Sequence, residues 1–86
     1  LIRLMPVADR SQELVAIKLP AAGTVIGRTL SELTLPYGTK IILMVTAEGQ
    51  SKAPDAETLF EAEDQIVALS PANSTSELWE LLTELR

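Results

Sequence analysis

The side chains best suited to chemistry in this sequence are a few charged and aromatic residues, because two common catalytic residue types are missing. The chain of 86 residues has no histidine and no cysteine. It therefore lacks the usual general base near neutral pH, thiolate catalysis, disulfides and cysteine-based zinc sites. Neither a serine or threonine nucleophile beside a base nor a pair of buried carboxylates stands out. We predict that the protein is not an enzyme.

Three residues are candidates for contact with a ligand. Lys40 and Arg28 are the best candidates for meeting a phosphate or carboxylate group. The alternative for both is a solvated surface charge. Tyr37 follows a proline in a predicted turn, where it can either stack on a ligand or cover the core. We expect a binding function from these residues, not catalysis.

Acidic residues crowd the segment 54–64. Hard divalent cations bind carboxylates supplied by a flexible loop, so the segment is a candidate cation site. Its spacing does not match an EF-hand loop, and the alternative is a solvated acidic loop. Asp64 has a structural explanation of its own, since its carboxylate can accept backbone N–H groups of its turn. The acidic residues are Asp55, Glu57, Glu61, Glu63 and Asp64.

Composition narrows the partners. Twelve acidic residues against seven basic ones give a net charge of -5, and the basic residues are scattered along the chain. We therefore expect no nucleic-acid partner, and the scarcity of aromatic residues points the same way. The longest apolar run, residues 41–45, is far shorter than a membrane span, so no membrane insertion is expected. A core this small is marginal alone, and we expect a homodimer.

The apolar pattern predicts an α+β fold, with a small, mostly antiparallel sheet and one short and one C-terminal helix packed on one side. Residues 1–11 are predicted to be a tail or linker, with an edge strand as the alternative, and residues 12–86 form the domain. The nearly all-apolar run 41–45 predicts a central strand. Capping boxes are predicted at Thr29 with Glu32 and at Ser74 with Glu77. The predicted strands are 13–19, 40–47, 50–53 and 65–69, and the predicted helices start near 30 and 75. The second helix is predicted to pack on the sheet through an apolar stripe formed by Leu78, Leu81, Leu82 and Leu85.

Two blocks carry a family resemblance. The first runs from residue 26 to 38 and is followed by the apolar strand, and the second runs from 54 to 65. The chain resembles the TrkA-C domain, the C-terminal subdomain of regulators of potassium channels, potassium uptake systems and several secondary transporters. The matching residues are Ile26-Gly27-Arg28-Thr29-Leu30-Ser31-Glu32-Leu33, Leu35-Pro36-Tyr37-Gly38, Ile41 to Val45, and then Pro54, Glu57, Thr58, Phe60 or Leu59, Asp64 and Ile66.

The resemblance implies a TrkA-C-like regulatory domain at the cytoplasmic face of a membrane. Such a domain senses a ligand, dimerises and gates a potassium channel or cation transporter. Its partners would be a second copy and either the rest of its own channel or transporter chain or a membrane potassium transporter subunit. The effector would be a nucleotide or a divalent cation, and the alternative is a structural oligomerisation module that no longer binds one. The implied ligand-binding residues are Arg28, Tyr37, Lys40, Ile41 and Ile42.

The sequence departs from the family pattern at several positions. Glu63 stands where the family usually has glycine, which predicts a strained turn if that position needs positive φ. Thr46 and Ala47 stand where many members carry an arginine. Some members bind a cyclic dinucleotide through an Asp-x-Arg pair and a later asparagine, but here Thr34 occupies that stretch and no arginine aligns. These departures argue against that particular ligand.

Overall fold

The computed structural model describes residues 1–6 and 11–86, and its architecture is a five-stranded antiparallel sheet covered on one side by a helix. A short 3-10 helix follows β2, and a second one leads into the C-terminal α-helix. The α+β prediction is confirmed. The elements are β1 (Ile2–Pro6), β2 (Gln12–Lys18), a 3-10 helix (Leu30–Glu32), β3 (Lys40–Val45), β4 (Ser51–Lys52), β5 (Gln65–Pro71), a 3-10 helix (Ala72–Ser74) and α1 (Thr75–Thr83).

The strand order is β1-β2-β5-β3-β4, so β5 is the middle strand. The prediction that the run 41–45 forms the central strand is wrong. β3 lies fourth in the sheet, between β5 and the two-residue β4. Its register against β5 shifts between Ile41 and Leu43, and Ile42 in the bulge is 48% exposed. A run of apolar residues indicates burial on both faces of a sheet only where successive side chains point to alternate faces without a bulge.

One face of the sheet packs against α1 and holds the core. Ile17 of β2, Ile66 of β5 and Met44 of β3 form a cross-strand row on this face, and all three are buried. Leu78 and Leu82 of α1 complete the cluster. Because side chains alternate along a strand, the residues between these positions point to the opposite face.

The opposite face of the sheet, which we call the open face, is apolar at its centre. Its side chains alternate with those of the core face, and the one α-helix of the described residues packs on the other side. Nearly all of the apolar members are half-buried, with only Ala16 buried. The cross-strand rows of the open face are Leu14–Leu69–Lys40, Ala16–Val67–Leu43 and Lys18–Gln65–Val45.

The two sequence blocks pair with each other by backbone hydrogen bonds. Gly27 donates to the Phe60 carbonyl at 2.8 Å, and Phe60 donates to the Arg28 carbonyl at 2.9 Å. Leu30 donates to Thr58 and Ser31 donates to Ala56, both at 3.0 Å. Backbone groups in loops need partners of this kind when they lie against a core. The blocks therefore act as a scaffold that closes the side of the sheet covered by α1.

The capping box at the first 3-10 helix is present. The Glu32 carboxylate accepts the Thr29 backbone N–H at 3.1 Å and the Thr29 hydroxyl at 3.0 Å. Hydrogen bonds from the Thr29 backbone, then from its hydroxyl, with a smaller contribution from the charge of Arg28, hold the pKa of Glu32 below its ordinary value. These bonds fix the entry to residues 33–38.

The capping box at Ser74 is wrong. The Ser74 hydroxyl contacts the Asn73 side chain at 3.4 Å and makes no cap hydrogen bond, because residues 72–74 already form a 3-10 turn. The stripe prediction holds for Leu78 and Leu82 but not for Leu85, which lies beyond the last helical residue and is 64% exposed. Where a 3-10 turn precedes a helix, backbone carbonyl groups of the turn accept hydrogen bonds from the first N–H groups of the helix. Such a helix needs no side-chain cap.

Part of the predicted tail over residues 1–11 is a strand. Backbone pairing joins Ile2 to Ala16 and Arg3 to Val15, with a bulge before the pair of Met5 and Leu14. The Arg3 guanidinium contacts the Glu13 carboxylate at 2.9 Å. β1 thus occupies the edge of the sheet beside β2. No helix among the described residues has the length and apolarity needed to cross a membrane.

Candidate functional site

A tight turn presents Tyr37 to solvent. The Thr39 N–H donates to the Pro36 carbonyl at 3.1 Å, and Gly38 has a φ of 84°. This is the pattern of a type II turn, in which the third residue needs positive φ. A Cβ added to Gly38 would lie 3.1 Å from the Pro71 side chain. The turn therefore packs closely on the end of β5, and Tyr37 at its tip is 98% exposed.

The turn borders an open groove of about 510 Å³ at this end of the sheet. Its polar groups are the Tyr37 hydroxyl, the amides of Gln12 and Asn73, and the Ser11 hydroxyl, and no charged side chain lines it. An aromatic face with amides beside it can stack on a planar ring and form hydrogen bonds to it. No group there can act as a general base or nucleophile near neutral pH. The remaining lining residues are Gly38, Pro71 and Ala72.

Thr39 adds an unusual feature beside the turn. Its Oγ1 is buried and finds no hydrogen-bond partner among the described residues. A buried hydroxyl without a partner costs about 1–3 kcal/mol. Such groups are rare in folded proteins and mark positions that call for an explanation.

The predicted ligand residues fall in three places. Tyr37, Lys40 and Ile42 lie within six positions at the same end of the sheet, and all three are exposed. Ile41 is half-buried against the core, so it supports this segment from below. Arg28 lies in the paired blocks and is absent from the lining of the Tyr37 groove. Its charge acts on Glu32 instead.

Sequence reasoning missed the residues of this groove that lie outside the Tyr37 turn. Ser11 and Gln12 lie at the start of β2, Pro71 ends β5, and Ala72 and Asn73 belong to the 3-10 helix that follows. Gln12 faces Pro71 across the sheet, and the groove depends on that pairing. The sequence offered one signal for this region. Residues 70–73, where an asparagine follows a proline and an alanine, are typical of the end of a strand.

The acidic segment is a set of local turns. The Asp55 carboxylate accepts the Glu57 N–H at 2.9 Å and the Thr58 hydroxyl at 3.1 Å. Asp64 is 1% exposed, and its carboxylate accepts the Glu61 N–H at 3.1 Å, as predicted. No group of three or more acidic side chains in the described residues comes together in a way that could hold a metal ion. The Asp55 and Asp64 carboxylates therefore serve the backbone of their own turns.

A second groove of about 450 Å³ lies at the opposite end of the sheet. Lys18, Glu63 and Gln65 line it, together with Thr46 and Ala47, the positions where the family pattern often has arginine. The Lys18 ammonium contacts the Glu63 carboxylate at 3.1 Å, and both side chains are largely in solvent. An exposed pair of this kind contributes little to stability.

Glu63 is strained. Its φ is 68°, and it is the one non-glycine residue with positive φ among the described residues. The left-handed region costs a residue with a Cβ about 1–2 kcal/mol. Glutamate in place of the family's glycine therefore destabilises this turn locally. The backbone keeps the positive φ that glycine would adopt there.

We expect Glu63→Gly to be more stable than Glu63→Ala by about 1 kcal/mol. Both variants remove the contact with Lys18, so their difference isolates the backbone strain, reduced by the greater flexibility of glycine in the unfolded chain. Urea unfolding of the two variants measures it. Equal stability would mean that the turn relaxes away from positive φ.

Comparison with known proteins gives one finding on the family. The family model described as the TrkA-C domain matches residues 14–83, a span that includes both blocks, most of β2 and all of β3, β4, β5 and α1. A search of curated proteins returned no match.

Proposed function

The chain belongs to the TrkA-C domain family, which makes it a regulatory domain of a potassium transport system, and we propose that it senses a ligand and dimerises to gate a channel or cation transporter. The proposal extends over residues 12–86 together with β1, which completes the edge of the sheet. Such a domain carries no chemistry of its own and acts by binding.

The observation that carries the proposal is the Tyr37 groove. A tyrosine that is 98% exposed contributes nothing to the core, and the turn that carries its backbone packs closely against Pro71. Exposed aromatic residues are enriched at recognition surfaces. Lys40 lies three residues further on and forms no ion pair with any described residue. The pair offers a stacking face and a cation for a phosphate.

This chemistry favours a nucleotide as the effector. The base would stack on Tyr37 and hydrogen-bond to Gln12 or Asn73, while Lys40 meets a phosphate. Ile42 adds an exposed apolar contact, supported by Ile41 beneath it. Arg28 would take part only across a dimer, from the second copy. A divalent cation is the weaker candidate, because no cluster of metal ligands forms in the described residues.

Regulation then follows from linkage between the ligand and the dimer. A ligand that contacts two copies binds one arrangement of the dimer better than another and shifts the population towards it. The shift is transmitted to the gate through the segment that precedes the domain. The membrane partner is the rest of its own channel or transporter chain, or a membrane potassium transporter subunit. We place the domain at the cytoplasmic face of the membrane.

A second candidate function is a structural oligomerisation module without an effector. Two observations favour it: the Tyr37 groove is lined by no charged side chain, and Thr46 and Ala47 replace the family's arginine in the second groove. The strained Glu63 is equally compatible with a scaffold that has lost selection on a ligand site. Both functions require a dimer.

Thermal unfolding in the presence of ATP, cyclic di-AMP or Mg²⁺ distinguishes the two functions. A ligand at 100 times its Kd stabilises the folded state by about 2.7 kcal/mol, which raises Tm by several degrees in a domain of this size. We expect a nucleotide to produce this shift. Tyr37→Ala should abolish it without changing the Tm of the free domain, because the side chain is exposed.

Lys40→Gln and Lys52→Gln form a matched pair of controls. Both lysines are exposed, but Lys52 lies on β4, away from the groove. The first substitution should reduce the nucleotide-induced shift and the second should leave it unchanged. If no compound changes Tm while the dimer persists, the structural module is the correct function.

A further inference from the structure

The outer surface of α1 is acidic and carries the one tryptophan of the chain. The helix packs on β2 and β5 through Leu78 and Leu82, which are fully buried. The opposite side of the helix is in solvent, and Trp79, midway along it, is 42% exposed. We call this surface the α1 face, and its exposed charged and aromatic residues are Glu77, Trp79 and Glu80.

A groove runs along each side of the α1 face. One, of about 310 Å³, lies between α1 and residues 34–36, and the other, of about 340 Å³, lies between α1 and β1. Glu77 lines the first groove, and Trp79 and Glu80 line the second. At least one leucine side chain lines each groove. A chain laid across α1 can therefore place apolar side chains on both sides of the helix.

The negative charge of the α1 face has no counterion within the described residues. Glu77 and Glu80 form no ion pair there, and the helix contains no lysine or arginine. Arg3 lines the second groove, but its guanidinium contacts the Glu13 carboxylate at 2.9 Å. Glu84, directly after the helix, adds a third negative charge. Glutamates three residues apart repel each other, and acidic side chains near a helix C-terminus oppose the helix dipole, so a bound cation relieves both effects.

The other basic side chains that the structure describes lie elsewhere. Lys18 and Lys40 belong to rows of the open face, on the other side of the sheet. Lys52 lies on β4, the edge strand beyond β3. Arg28 lies in the paired blocks, and the Arg86 guanidinium donates to a backbone carbonyl of the first block at 2.7 Å. The α1 face therefore keeps a net negative charge.

We propose that the α1 face docks a segment rich in arginine and lysine from the membrane partner, with cations beside Glu77 and Glu80 and one over the ring of Trp79. A tryptophan ring attracts a cation more strongly than the other aromatic side chains do. Glutamates beside it bind further cations through charge-assisted hydrogen bonds. The two grooves receive the apolar residues of the same segment.

The source of such a segment follows from the proposed function, on which this inference rests. Loops of membrane proteins on the cytoplasmic side carry an excess of lysine and arginine close to the membrane. A regulatory domain on that side faces those loops. The anionic lipid surface is repelled by the α1 face, so the basic loops are the occupant that its charge fits.

The fluorescence of Trp79 reports docking directly, because the chain has no other tryptophan. The probe is a synthetic peptide that repeats arginine, leucine and serine, added to the domain at low salt. We expect a saturable change in tryptophan emission that weakens as salt is added, since salt screens exposed charges. The same peptide with glutamate in place of arginine should cause no change.

Paired substitutions separate the α1 face from the net charge of the chain. E77Q/E80Q should raise the peptide dissociation constant about fivefold, because two exposed ion pairs are lost. E48Q/E57Q removes the same charge from two exposed residues in other loops and should leave the constant nearly unchanged. Trp79→Leu keeps an apolar side chain but loses the ring, and should raise the constant about threefold when binding is followed by the anisotropy of a labelled peptide. Circular dichroism checks that each variant is folded.

The outcomes are distinct. A change in emission with selective weakening in E77Q/E80Q supports docking at the α1 face. Equal weakening by both double variants means attraction by net charge alone, and it overturns the inference. Binding without a change in emission, or no binding up to millimolar peptide, also overturns it. The nucleotide-induced shift in Tm should persist in E77Q/E80Q, so the proposed sensing function stands or falls by that separate measurement.

Discussion

Replacing Phe60 by alanine is expected to lower the free energy of unfolding by about 3–5 kcal/mol. The Phe60 side chain is fully buried in the core cluster, and its backbone joins the two blocks through hydrogen bonds to Gly27 and Arg28. Truncation loses the burial of the ring and leaves a cavity that a sheet-anchored core cannot fill. Urea unfolding followed by circular dichroism measures the loss.

Leu59→Ala is the matched control for this prediction. Leu59 is the neighbouring residue and is 49% exposed, so its truncation should cost less than about 1 kcal/mol. The family signature is satisfied by either residue, and this pair decides which one anchors the loop. Equal losses for the two variants would contradict the burial of Phe60.

The second large effect is expected at the C-terminal helix. Leu82→Ala should lower the free energy of unfolding by about 2–5 kcal/mol, because Leu82 is fully buried between α1 and the sheet. Leu85→Ala should change it by less than about 1 kcal/mol, since Leu85 lies beyond the helix and is largely exposed. The same denaturant titration compares the two variants. A large loss at Leu85 would show that the helix extends further and packs through it.

Local signals in the sequence predicted the local structure well. The alternation of residues 13–19 predicted β2, and the capping residues Thr29 and Glu32 predicted the start of the first short helix. Glu48-Gly49 predicted the hairpin, in which the Gly49 N–H donates to the Thr46 carbonyl at 2.8 Å. Glycine at positive φ explains why this last signal is strong. In each case the interacting groups lie within a few residues of each other.

The error in the sheet order arose because distant parts of the chain decide it, and the error at Ser74 arose from a neighbouring turn. The apolar run 41–45 suggested the middle strand of the sheet, but the middle strand is β5. The alternating pattern of β5 indicates that position only once its two neighbouring strands are known. The Ser74 cap failed because a 3-10 turn already supplies the helix start. Sheet order and bulges follow from long-range pairing, which periodicity alone does not contain.

The residues of the candidate site also fall into two groups: those that the local sequence indicated and those that only the folded sheet brings near them. Tyr37 and Lys40 were recognisable as chemistry-bearing residues next to a turn, and the structure exposes both. Gln12 and Asn73 line the groove beside Tyr37 only because β2 and β5 are paired. Arg28 was a reasonable candidate by type, yet it lies among the paired blocks. Spacing along the chain could not separate these cases.

The most direct test of the account is the molecular mass of the domain in solution. The proposed sensing function and the structural alternative both require two copies. Sedimentation equilibrium at micromolar to high micromolar concentration should give twice the 9.3 kDa of one chain, with a single dissociation constant. A mass of one chain throughout that range would contradict the account.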